Sequence, residues 1–504
     1  MMERRRDGKA FLALLLGAAA ILLLLSANSP LYPFNPWGDP NCFLTVARAM
    51  RAGILPYRDL MEQKGPLLYA MHIPAVMVQP NGYFGAYLLE VAACAAFLFA
   101  GYKMLRLFGY GGRWSVPLLI AAAALMDASD AFIVGGSAEE LCAPMLAWSL
   151  YEALKYFHGD EGRMRAACLL RNGFLAGCVL WIKYSLLGLH FGWMAVIAVE
   201  CVVRERRVWN AARMCLIFLA GMALASLPWL VYFGANGALG DLFGIYFVQN
   251  LSSYGDRAGS IPFMIEVICR RAFHSYAIGA PVLLAAAGVI FGRWANGRIK
   301  CAFLTMLFFT TAFAYYSRLS FTYMLYVWAA FVPLGLIPVL WLLRRLFENR
   351  RRAGAAAVAA LSLCGCFGGL RGGYMVPWLN YPAEELPQVK FAKVISETED
   401  ATMLICGFLD EGFYTTAGVL PSQLWFCGLN ILQETCYDEQ ARAIRGGEID
   451  YVVTRNLTLE ELGIDDSAYD MAMREETRYT VQYGHRTFYL YRRKGLDGAA
   501  AEPV

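Results

Sequence analysis

The sequence predicts an α-helical polytopic membrane protein of about eleven transmembrane helices, with a small extracytoplasmic α/β domain at its C-terminal end. Three observations lead there. Apolar runs of about twenty residues recur over residues 1–370, each long enough to span a hydrocarbon core as a helix. Hydrophobic residues make up 58% of the chain and charged ones only 17%, outside the range of ordinary globular domains. Lysine and arginine gather in particular loops, the asymmetry expected of cytoplasmic connections. A net charge of +4 is too small to point to nucleic acid, and no such partner is expected.

Arg4, Arg5 and Arg6 precede the apolar run Phe11–Leu25. A basic flank and a short apolar core also describe a signal peptide. Ser26-Ala27-Asn28-Ser29 is a poor cleavage site, however, so a retained anchor with a cytoplasmic N-terminus is expected. Further spans are predicted at Tyr83–Leu107, Val116–Phe132, Glu139–Tyr156, Ala167–Lys183, Leu186–Val203 and Ala211–Tyr232. A long aromatic loop, Gly234–Ser260, separates them from Ala277–Phe291, Cys301–Tyr315, Tyr323–Leu343 and Ala355–Leu370. On this map the basic loops Arg204–Arg207, Arg293–Lys300 and Arg344–Arg352 all fall inside, and one missed span would break that agreement.

Composition changes at Arg371. Residues 1–370 are read as the membrane domain, with a first outer loop at 27–66, and residues 371–504 as a soluble α/β domain that folds separately. Met403–Cys406, Leu424–Phe426 and Tyr451–Val453 read as short buried strands and Glu434–Arg445 as a helix. Tyr479–Tyr491 alternates like a strand pair around Gly484-His485, and the tail Gly495–Val504 is expected to fray. The fourteen cysteines show neither C-x-x-C nor zinc spacing and read as small buried hydrophobes, with a Cys427–Cys436 disulfide as the alternative in the polar tail. Asn250-Leu-Ser and Asn456-Leu-Thr match the glycosylation triplet, a pattern common by chance.

The first loop holds the chemistry. Gly38–Tyr69, GDPNCFLTVARAMRAGILPYRDLMEQKGPLLY, is charged although apolar segments flank it. Asp39-Pro40 reads as a helix start, an N-cap followed by proline at the first helical position. Phe43, Val46, Ala47 and Met50 then form one apolar face, and Gly53 stands where such a helix should stop. The prediction is a short amphipathic helix along the membrane surface, then a tight charged turn and a second apolar element from Pro66.

An acidic residue opening this loop, a surface helix, then Gly53-x-x-Pro56-Tyr57-x-Asp59 and Lys64-Gly-Pro-Leu-Leu-Tyr69 resembles the first loop of GT-C-fold glycosyltransferases. The likeness is to the protein-mannosyltransferase and aminoarabinose-transferase type, which uses polyprenyl-phosphate sugar donors. It is specific over about thirty residues and topological over the membrane domain. The resemblance implies an inverting glycosyltransferase that passes a sugar to a glycan, lipid or protein of the cell envelope at the outer face. It implies Asp39 as catalytic base and Lys64 as the cation that meets the donor phosphate. Asp39-Pro40 and Cys42 depart from the family's Asp-Glu with a following Arg, and Gln63 replaces a frequent Glu. No metal site is therefore carried over, and no cofactor is expected.

Each residue has a plainer reading. An aspartate before proline at a helix start is also a simple N-cap, and Lys64 is also an interfacial anchor. Lys183 and Arg318 are further candidates for donor phosphate, or anchors near outer helix ends. Arg58, Asp59 and Glu62 could bind sugar or acceptor, or bridge one another within the turn. Glu139 and Glu140 resemble a second acidic position of the family, and equally suit a helix N-terminus. Two rival functions stand beside transfer: a transporter or flippase of lipid-linked saccharides, and a non-catalytic envelope assembly protein. Transporters favour repeats and paired broken helices, which this sequence does not display.

Overall fold

The computed structural model describes residues 2–159, 163–255, 261–316, 321–480 and 484–496. Arg318 and residues 497–504 of the expected frayed tail lie outside them. The chain divides into two compact units, one of Met1–Ser26, Glu90–Asn236 and Tyr254–Val376, the other of Ala27–Leu89, Gly237–Ser253 and Pro377–Val504.

The first unit is helical. Among the described residues of the chain, seven helices are long and apolar enough to cross a membrane, or eight if a bent pair counts as one span. That pair, Ile265–His274 and Tyr276–Phe291, turns by 114° at Ser275. The three remaining predicted spans are also helical, but shorter or more charged: Ser115–Asp127, Ala138–His158 and Gly188–Glu205. Close packing rests on small residues. A Cβ on Gly173 would lie 1.9 Å from the Phe218 carbonyl oxygen, and one on Gly221 would lie 2.2 Å from that of Leu170. Helices 166–183 and 208–235 thus meet backbone to backbone, the contact that small residues permit between membrane helices.

The long loop predicted at Gly234–Ser260 is largely helical where described. Leu239–Phe243 leads into a π-helical turn, Gly244–Gln249, and then Asn250–Gly255. Phe243, Tyr246 and Phe247 stand at helical spacing, too short a signal to mark a helix within the stretch.

In the second unit the helix Gly38–Arg51 is not an exposed surface helix. Every residue from Pro40 to Ala49 is buried. The reason lies in the C-terminal segment, since a Cβ on Gly38 would lie 2.7 Å from Leu409 and the Thr45 hydroxyl donates to Asp410 at 2.8 Å. The helix does stop as expected: Gly53 takes φ +89° and its N–H donates to the Met50 carbonyl at 3.1 Å.

The C-terminal segment carries one four-stranded sheet. β1 (Met403–Ile405), β2 (Tyr451–Arg455), β3 (Tyr469–Thr477) and β4 (Arg486–Arg493) run in the order β1-β2-β4-β3. β1 and β2 are parallel, with Leu404 opposite Val452, while β4 is antiparallel to both its neighbours. The helix Gln433–Arg445 lies where predicted. Two expectations fail. Leu424–Phe426 forms no strand: Leu424 and Trp425 lie in a turn with Leu424 exposed, and only the Phe426 carbonyl reaches the sheet, accepting the Ile405 N–H at 3.1 Å. The hairpin also begins earlier, because β3 is an edge strand whose exposed face carries charges and hides the alternation. Cys427 and Cys436 are free thiols, as are all fourteen cysteines, and the Cys427 sulfur lies 3.9 Å from that of Cys42 instead.

Candidate active site in the first loop

Asp39 does not cap its helix. Trp37, in an extended conformation, occupies the cap position without a side-chain capping bond, and Asp39 falls in the first turn. One reason is Asn41, whose side-chain amide donates back to the carbonyls of Asn35 and Trp37 at 2.7 and 2.8 Å and so closes the helix start. The Asp39 carboxylate is left to face Lys64, with Oδ2 3.7 Å from Nζ and both side chains only 13% and 11% exposed. The Lys64 ammonium also sits over the Phe43 ring, 5.9 Å from its centroid. The two residues singled out by sequence thus form one ion pair, at a helix N-terminus whose partial positive charge attracts an acidic side chain.

The turn that presents Lys64 is held from three sides. Glu62 accepts the Lys64 backbone N–H at 2.8 Å and the Tyr69 hydroxyl. The Tyr57 hydroxyl donates to the Lys64 carbonyl at 2.6 Å, and Tyr57 adopts φ +71°, a left-handed conformation rare for an aromatic residue. Such backbone costs on the order of 1–3 kcal/mol and persists only where its surroundings over-determine it. From the third side, Asn250 Nδ2 donates to the Gln63 carbonyl at 2.8 Å. Asn250 is buried, so its triplet serves the turn and not a glycan. Burial pushes the Glu62 carboxyl up, against the opposing charge of Lys64. Its bonds make it a positioning group for the lysine backbone. Burial likewise pushes the Tyr57 hydroxyl well up, keeping it a donor.

Arg58 and Asp59 are half exposed and bridge each other at 2.9 Å, and Asp59 also accepts the Leu55 N–H at 2.9 Å. The bond from Arg58 holds the Asp59 carboxyl below its usual range. In the membrane unit, Lys183 pairs with Glu139 at 2.5 Å and lies over the Tyr323 ring at 5.1 Å. Glu140 instead accepts the Gly136 N–H, while the Ser137 hydroxyl accepts that of Glu140, a capping box. The two adjacent glutamates therefore have different employment.

Sequence reading passed over a second buried cluster behind the helix. Asp410 accepts the Thr45 hydroxyl and the N–H groups of Gly412 and Phe413, and Arg48 donates to the Tyr414 carbonyl at 2.7 Å. Asp410 lies 365 residues from Thr45, so no local pattern could reveal it. Burial pushes the Asp410 carboxyl up to about 6, above the ordinary 3.8. A raised value means the protonated form is favoured by folding. Its contribution to stability is present below about pH 4 and is lost as pH rises through about 6, on the order of 3 kcal/mol. Asp410→Asn keeps an acceptor for both N–H groups and should flatten this part of the profile. Unfolding midpoints of both proteins between pH 4 and 7 check it, and parallel curves would refute it.

No protein-family model and no curated protein matches the sequence. Solved structures do. The chain is similar to ArnT from Cupriavidus metallidurans bound to undecaprenyl phosphate, with a TM-score of 0.60 at 12% identity, and to the same protein in the apo state, with 0.55 at 13%. Each superposition covers 98% of this chain and 98% of the other. The chain therefore has the GT-C fold that its first loop resembles, a multi-pass membrane fold with a small C-terminal sheet.

Proposed function

We propose that the chain is an inverting glycosyltransferase that moves a sugar from a polyprenyl-phosphate donor to a cell-envelope acceptor at the outer face of the membrane. One observation carries the reading: a carboxylate and an ammonium, Asp39 and Lys64, paired in the first loop of this fold. A protein of the same fold has been crystallised with undecaprenyl phosphate, which supports a lipid-phosphate donor here. In the reaction an acceptor oxygen or nitrogen attacks the anomeric carbon and the bond from that carbon to the phosphate oxygen breaks. Asp39 takes the acceptor proton, and the polyprenyl phosphate leaves with the electron pair against Lys64.

In-line displacement sets a geometric demand. Attacking and leaving atoms stand on opposite sides of the carbon, with reacting atoms about 3 Å apart before transfer. A base on one side and a cation on the other are then farther apart than 3.7 Å. Substrate must therefore open the resting pair: the donor phosphate draws Lys64 away and releases Asp39 to the acceptor. In this reading residues 371–504 are extracytoplasmic.

Mass analysis of lipid that co-purifies with the protein tests the donor class. A polyprenyl phosphate or its glycosylated form is expected. Absence of both, with no binding of added undecaprenyl phosphate, would refute the reading. Proteoliposomes separate transfer from transport, since a flippase would move the lipid-linked sugar across the bilayer without breaking its bond to phosphate.

A further inference from the structure

A cleft of about 750 Å³ opens in the membrane unit, and none of the candidate site residues lines it. Three segments form it: the connection around Tyr110–Trp114, the end of helix Val332–Leu346, and the turn into helix Arg351–Gly372. Arg113, Arg344, Arg345 and Arg351 line it, against the single carboxylate of Glu348. Among the described residues none of the four arginines has an ion pair. On connections at the same ends of the spans, by contrast, Arg106 pairs with Asp7, Arg163 with Glu205 and Arg298 with Glu200.

The cleft is built, not merely charged. Arg344 stacks 4.4 Å over the Tyr110 ring and gives one N–H to the Gly109 carbonyl at 2.7 Å, which orients its remaining donors. Arg345 lies 5.4 Å over Trp341. Trp114 is seated where a Cβ on Gly354 would come within 2.7 Å of its ring, and its buried indole N–H has no acceptor among the described residues. Arg351 begins its helix, so the N-terminal partial charge adds to the cationic field. Basic loops alone follow from the positive-inside bias. Guanidiniums stacked on aromatic rings around one cleft do not.

We infer that this cleft binds the headgroup of an anionic glycerophospholipid, with the guanidiniums taking its phosphate and the adjoining apolar surface its acyl chains. Phosphate recognition follows from the forked donors of arginine. The membrane source follows from Trp341, Leu342 and Leu346, which are 49%, 48% and 62% exposed at the end of the same helix. Basic pockets between membrane helices suit headgroups in this way. The inference does not rest on the proposed transfer reaction.

The test is native mass spectrometry of the full chain, delipidated in detergent and titrated with diphosphatidylglycerol, phosphatidylglycerol or phosphatidylcholine. The anionic lipids should bind and phosphatidylcholine should not. The double variant Arg344→Gln/Arg345→Gln should bind the anionic lipids roughly thirtyfold more weakly. Arg206→Gln/Arg207→Gln, on another exposed loop, should bind like the wild type. If the first double variant does not fold, Arg113→Gln alone should weaken binding roughly fivefold. Equal lipid retention by a folded cleft variant overturns the inference. So does displacement of the lipid by millimolar pyrophosphate, which would make the cleft a site for soluble phosphates.

Discussion

Asp39→Asn should yield a folded protein whose transfer rate falls by about 10²–10⁴, the usual loss for a missing general base. The substitution keeps shape and removes charge. Because Asp39 is not the N-cap, no capping bond is lost; the change removes a carboxylate from the first turn and from Lys64. Stability should fall by no more than about 2 kcal/mol, the upper range for such a charge at a helix N-terminus. Donor affinity should hold or rise, since Lys64 loses the carboxylate that competes with phosphate. Rate is measured by single-turnover transfer from a polyprenyl-phosphate sugar, and affinity by binding of the same lipid. Normal turnover in a folded variant would remove Asp39 from the chemistry.

Lys64→Met should act on the other partner and separate from it in the same two assays. Methionine keeps much of the apolar stem beside Phe43 and removes the ammonium. Donor binding should weaken by about tenfold or more, as expected when a charge-assisted phosphate contact of at least 1.4 kcal/mol is lost. The chemical step should slow as well, by about 10²–10³, because the departing phosphate loses its counter-charge. The backbone bonds of residue 64 to Glu62 and Tyr57 need no side chain, so the turn should persist. A variant that binds and turns over donor normally would leave Lys64 as an interfacial anchor.

Local patterns carried the membrane helices, the end of the first-loop helix at Gly53 and the choice of Asp39 and Lys64 as candidates within one loop, though not that the two pair. Each depends on residues close in sequence, where periodicity, capping and a motif speak directly. The supports of the site did not show. Tyr57 and Tyr69 stood inside the motif, yet nothing in their identity said that their hydroxyls hold the backbone of residue 64 or the carboxylate of Glu62. Asn250 looked like a chance triplet, because its partner, the Gln63 carbonyl, is 187 residues away. Asp39 looked like a cap because a helix start is legible only to within a residue or two, and Asn41 settled it through backbone carbonyls. The charged edge β3 escaped for a related reason: polarity that protects an edge also erases the alternation by which a strand is read.

The hydrogen bond from Thr45 to Asp410 has a consequence for biosynthesis. The first-loop helix is made early, but the carboxylate that receives Thr45 emerges 365 residues later. At ribosomal rates of about 5–20 residues per second, that is a wait of roughly 20–70 s. Throughout it, the helix that carries Asp39 lacks the segment that buries it. A nascent chain can thus insert most of its helices before its first loop is locked, so the candidate site is completed last. A chain cut short before Asp410 should reach the membrane with its spans in place and its first loop unfastened.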